Sequence, residues 1–179
     1  MVQRSPTTEA VRATELLAPG GTLFVANVPT SETSMGHGTH VAGIAAGNGG
    51  GSTNGYYKGV APDANVIGIG AGDALFVLWA LAGLDYVLDI RAQFNIQVVN
   101  NSWGSTGTYD PAHPINVATK KLYDAGVAVV FAAGNEGPGE NTLNPYSAAP
   151  GVISVAANIL PRAVSTMPPS RPDATVRTM

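Results

Sequence analysis

The chain has 179 residues, 12% of them charged and 45% hydrophobic, with a net charge of −3. This balance excludes wholesale disorder, and it leaves no basic surplus to follow a phosphate backbone, so nucleic-acid binding is not expected. Cysteine is absent, which removes disulfides, thiolate metal ligation and a thiol nucleophile together. A chain of this length can bury roughly 70% of its unfolded surface, so a real core is within reach.

Residues 1–21 show no convincing period, and no continuous apolar stretch of signal-peptide length. Thr22–Val28 is a short strand candidate. Gly36–Gly47 has helical length but almost no bulk, which is unfavourable in helix propensity. Such a helix makes sense if it is buried against other backbone or holds a site. Gly47–Lys58 is a glycine-rich loop, and Asn65–Ile69 a buried strand. Asp73 can cap a helix running to about Gln93, apolar enough to be buried on most sides. The longest apolar run, Ala74–Ala82, is too short to span a bilayer, so no membrane role is expected.

Ile96–Asn100 is the next strand, and Asn101–His113 a polar loop with Pro111 and Pro114 as breakers. Ile115–Ala125 is an amphipathic helix stopped by Gly126. Val127–Ala133 reads as a strand buried on both faces, and Val152–Ala156 as the last strand. Unbroken apolar strands alternating with helices predict an α/β fold, a parallel sheet covered on both sides. Sites in such sheets collect at the strands' C-terminal ends, where the loops after residues 100 and 133 begin. Residues 158–179 break the pattern and read as an unstructured tail.

Three motifs carry chemistry. In Gly36-His37-Gly38-Thr39-His40-Val41-Ala42-Gly43, a histidine at the mouth of a small-residue helix suits a general base. The same residues also fit a packed helix with incidental histidines. A zinc pair is the third reading, but zinc needs a third ligand, and no His-Glu-x-x-His pattern is present. In Ala132-Ala133-Gly134-Asn135-Glu136-Gly137, the Asn135 amide can serve as an oxyanion donor, or the stretch is an ordinary turn. In Asn100-Asn101-Ser102-Trp103-Gly104, exposed backbone can pair with an extended peptide, or the tryptophan packs beneath a turn.

In this order, GHGTHVAG, NNSWG, AAGNEG and PYSAAPGVISVAA resemble the subtilisin-like serine endopeptidases, the subtilases. The resemblance covers about residues 22–157 and implies a parallel-sheet, subtilisin-like three-layer fold, here incomplete, with 1–21 a poorly ordered extension. It implies that His37 is the general base, that His40 is structural and that Asn135 is the oxyanion-hole donor. Ser102, Trp103 and Gly104 would bind the substrate strand and line a pocket, with Ala132, Ala133 and Gly134 as the opposite wall. The implied partner is a polypeptide substrate.

The departures are specific. No aspartate precedes His37; only Glu9, Glu15 and Glu32 are acidic there. No Gly-Thr-Ser-Met-Ala follows Asn135, and neither Ser165 nor Ser34 has the right neighbours. The expectation is a piece of the family's catalytic domain, truncated at both ends and inactive alone. The alternatives are a non-catalytic peptide-binding remnant, or half of an enzyme completed by another chain. Family members are mostly exported and often bind calcium, but Asn48 and Asn54 bring no carboxylate to the glycine-rich loop, so no cofactor is assigned. Gly68-Ile69-Gly70-Ala71-Gly72 fails the dinucleotide pattern because Asp73 stands where glycine is needed.

Overall fold

The computed structural model describes residues 9–13, 24–25, 31, 36–50, 57–70 and 77–157. Their elements run β1 (Glu9–Ala13), β2 (Phe24–Val25), α1 (His37–Ala46), β3 (Ile67–Gly70), α2 (Val77–Phe94), β4 (Val98–Asn101), α3 (Pro114–Asp124), β5 (Ala128–Ala132) and β6 (Val152–Val155). The alternation of strand and helix predicted from the apolar runs is present, with each element's ends shifted by a few residues. Asp73, the expected cap of α2, and the tail 158–179 lie outside the described residues.

The strands form two three-stranded sheets, ordered β2-β1-β3 and β4-β5-β6. The second is parallel throughout, with Val99 opposite Val129 and Val129 opposite Val152. In the first, β1 runs parallel to β3 but antiparallel to β2, so the sheet is mixed. The 1–21 stretch thus carries a strand that its sequence pattern does not announce.

The core lies between one face of β4-β5-β6 and helices α2 and α3. Val129 and Phe131 of β5 meet Ile115 and Leu122 of α3 and Leu84 and Val87 of α2, all buried. α3 starts at Pro114, a residue that supplies no backbone donor where none is needed. His113 caps it: its Nδ1 accepts from the Ile115 N–H at 3.3 Å. Pro114, a breaker by its sequence position, stops the preceding segment and with the same ring opens this helix.

Two burial expectations need correction. α2 is not buried on most sides: Ala80, Gly83, Leu84 and Val87 are buried, but Leu78 is 51% exposed. On the far face of β4-β5-β6, the outer-strand residues Val98, Ile153 and Val155 are each more than half exposed, so cover on both sides is not found there among the described residues. Around β4-β5-β6 the described residues therefore build one helix layer on one sheet layer. A helix touching a sheet on one side needs only one apolar stripe; α2 has more than that stripe, and the surplus faces outward. No described helix is long and apolar enough to cross a membrane.

Candidate functional site

The parallel ladder of β4 and β5 delivers two of the three motifs side by side. Asn101 is paired with Phe131 at its end, and the Asn101 side chain, 4% exposed, donates from Nδ2 to the Val130 carbonyl at 3.2 Å. Beyond it the Asn100 amide donates to the Ser102 hydroxyl at 2.9 Å. Trp103 is half-buried and meets Phe131 edge-to-face, ring centroids 4.9 Å apart at 77°, with Tyr146 5.7 Å away. Tryptophan beneath a turn, one of the two readings of that motif, is therefore what this segment does. It does not exclude the other, because the packing uses the side chain and peptide addition would use the backbone.

On the neighbouring strand, Ala132 and Ala133 are half-buried and Gly134 turns the chain at φ +109°, a conformation that favours glycine. The Ala133 N–H donates to Val155 of β6 at 2.8 Å, which pins this wall to the next strand. Asn135 follows, exposed to solvent. One residue that the sequence reading passed over joins the two segments. Asn144, 1% exposed, donates from Nδ2 to Ala132 O at 2.8 Å and to Trp103 O at 3.1 Å. Only a pairing of chemistry across distant loops would have revealed it, since its partners lie 12 and 41 residues away.

The histidine motif is placed differently. His37 is the first residue of α1, and both His37 and His40 are exposed. Gly36 enters the helix at φ +69°, and the His40 N–H closes the first turn onto Gly36 O at 2.9 Å. The expected burial of this helix is not found: none of its residues is fully buried, and Ile44 is 57% exposed. Among the described residues, close approach to its small residues occurs at one end. The 59–61 backbone bonds back to Ile44, Ala45 and Gly47, and a Cβ at Gly59 would lie 2.6 Å from the Ala46 nitrogen. Among the described residues, no hydrogen bond or ring contact joins His37 to the β4–β5 edge.

The remaining motifs resolve simply. A Cβ at Gly70 would lie 2.5 Å from the Ser31 carbonyl oxygen and one at Gly68 2.5 Å from the Ser31 hydroxyl, so close packing against Ser31 accounts for both without a nucleotide. Asn48 accepts from Gly50 N at 3.0 Å; Asn54 lies outside the described residues. Among the described residues, no cluster of three His, Asp or Glu stands ready to hold a metal ion. His113, which reads as an exposed loop residue in sequence, is half-buried and packs against Tyr146 at 5.1 Å. Burial raises the Tyr146 phenol above its ordinary value, partly offset by a hydrogen bond with Ser105.

Comparison with known proteins gives a consistent result. The model of the subtilase family matches residues 20–167. Tripeptidyl-peptidase 2 of Caenorhabditis elegans is 31% identical over 163 residues, 89% of this chain and 11% of that protein. Subtilisin of Bacillus sp. (strain TA39) is 36% identical over 141 residues, 76% of this chain and 32% of that protein. Among solved structures, sphericase superposes with a TM-score of 0.64 at 31% identity, covering 77% of this chain and 44% of its own. The chain thus spans less than half the length of each of these proteins.

Proposed function

The chain belongs to the subtilase family, and from that premise we propose that it is the substrate-holding part of a serine-type endopeptidase, carrying general base and oxyanion donor. A polypeptide in extended form lies along Ser102–Gly104, with Ala132–Gly134 as the other wall. Asn135 donates its amide to the oxyanion, and His37 takes the proton from a serine hydroxyl, which these residues do not themselves supply, as that oxygen attacks the scissile carbonyl carbon. The imidazolium then gives the proton to the leaving amine. His40 keeps a structural role.

The observation that carries this reading is the pairing of the two candidate walls at adjacent parallel strand ends, with Asn135 exposed directly beyond one of them. A neutral amide at such an edge is worth about 3–4 kcal/mol to the transition state, a magnitude measured in this same family. Without a nucleophile it has no tetrahedral intermediate to stabilise. No serine in this sequence has the family's nucleophile motif, and no aspartate precedes His37. We therefore read the chain by itself as binding polypeptide rather than cleaving it.

A fluorophosphonate probe and peptide calorimetry test this together. The expected result is no labelled serine and micromolar binding of a capped, extended peptide. A labelled serine overturns the claim that no nucleophile is present, and absence of binding overturns the groove.

A further inference from the structure

We propose that Asn144 is a positioning residue whose carboxamide fastens the two walls of the peptide groove to each other. This rests on the reading of the β4–β5 edge as that groove. The β4–β5 ladder ends at Asn101 and Phe131, and beyond it two loop segments leave the sheet. Among the described residues, the hydrogen bonds that reach both segments run through Asn144. Its Nδ2 protons go to one carbonyl on each wall, Ala132 O at 2.8 Å and Trp103 O at 3.1 Å. Its Oδ1 accepts from Tyr146 N at 3.2 Å and, at the long limit of 3.5 Å, from Ser105 N. Its own backbone N–H donates to Ala133 O at 2.7 Å, and its carbonyl accepts from the Ser147 N–H and hydroxyl at 3.0 and 2.8 Å.

This pattern fixes the residue type. Two acceptors face the nitrogen and two donors face the oxygen, so only one orientation of an amide satisfies all four. A carboxylate of the same shape would set oxygen against two carbonyl oxygens. The site is also sized for the amide: a Cβ built on Gly104 would stand 2.4 Å from Asn144 Nδ2. Gly104 is therefore a glycine because Asn144 occupies its side-chain space. The two positions act as one device that sets the spacing between walls.

The test uses the full chain with the variants Asn144→Asp and Gly104→Ala. Amide hydrogen exchange reads the fastening, and affinity for a capped pentapeptide, Ala-Ala-Ala-Ala-Phe, reads the consequence. In either variant, exchange at Trp103–Ser105 and at Ala133–Gly134 rises about tenfold or more, as expected when buried acceptors lose their donor. Amides of α3 keep their protection, and peptide affinity falls by a similar factor. The double variant is no worse than the worse single one, because both remove the same contact.

Unchanged exchange at the walls overturns the fastening. An equal rise in α3 overturns it too, since that marks general loosening. Faster wall exchange with affinity kept within about twofold overturns the positioning role. If the unaltered chain binds no peptide, the groove reading fails by itself, and the exchange data still decide whether Asn144 holds the segments together.

Discussion

Asn135 and Ser102 stand just past strands whose neighbours are set by a parallel ladder, an aromatic cluster and the Asn144 amide. His37 stands at the head of a helix in which no residue is fully buried. The two regions carry the same kind of polar side chain, yet they hold it by different means. At the strand ends, position is inherited from a core that any displacement would disrupt. At α1, where no residue is fully buried, the support includes the helix's own turns and three backbone bonds to the 59–61 segment. A constellation drawn from both regions is only as well placed as its less supported member.

The comparison can be broken at its stronger side first. Phe131→Ala removes a fully buried ring from beneath Trp103 and Tyr146 and should cost about 3–5 kcal/mol in a denaturant melt. A loss under half of that would mean the strand-end region is less tightly held than its burial says. Next in size, His113→Ala removes the α3 cap and the ring against Tyr146, for a loss of about 1 kcal/mol by the same melt. His113→Asn should recover most of it, because an asparagine oxygen accepts the same N–H.

A smaller effect is alkaline. The Tyr146 phenol lies above the ordinary value of 10.0 because burial disfavours its ionised form. The unfolded chain then sheds this proton first, so the contribution is complete below about pH 10 and is lost as pH climbs through the raised folded value. Urea midpoints taken from pH 9 upward should fall more steeply for the unaltered chain than for Tyr146→Phe. Equal slopes would remove Tyr146 from the account. Smallest of all, Ile44→Ser on α1 should change stability by less than about 0.5 kcal/mol, since the side chain is already in water. A larger loss would show that α1 is anchored better than its exposure indicates.

Legibility in the sequence follows the same divide. The strand before Gly134 is plain because seven apolar residues in a row, Val127–Ala133, lead into a glycine and an amide, and both the ladder and the core use that run directly. Asn144 is not plain, because one polar residue among several in its loop has no local signature, and its meaning lies in carbonyls far along the chain. Strand β1 has no signature either: Glu-Ala-Val-Arg-Ala follows neither period, and pairing with β2 and β3 makes it a strand. For α1 the pattern gave the helix but not its surroundings. Small residues signal that something comes close, and here the close approach is by Gly59 at one end rather than by a layer across the face.

The bare side of β4-β5-β6 has a consequence for the chain as a solute. Val98, Ile153 and Val155 present apolar surface that folding has not removed from water, on a molecule whose net charge is only −3. Patches of this kind attract one another, and a charge so small repels weakly at ordinary ionic strength. The osmotic second virial coefficient of the purified chain should therefore be negative. It should become more so in sulfate than in chloride, because excluded salts raise the penalty for wetted hydrocarbon.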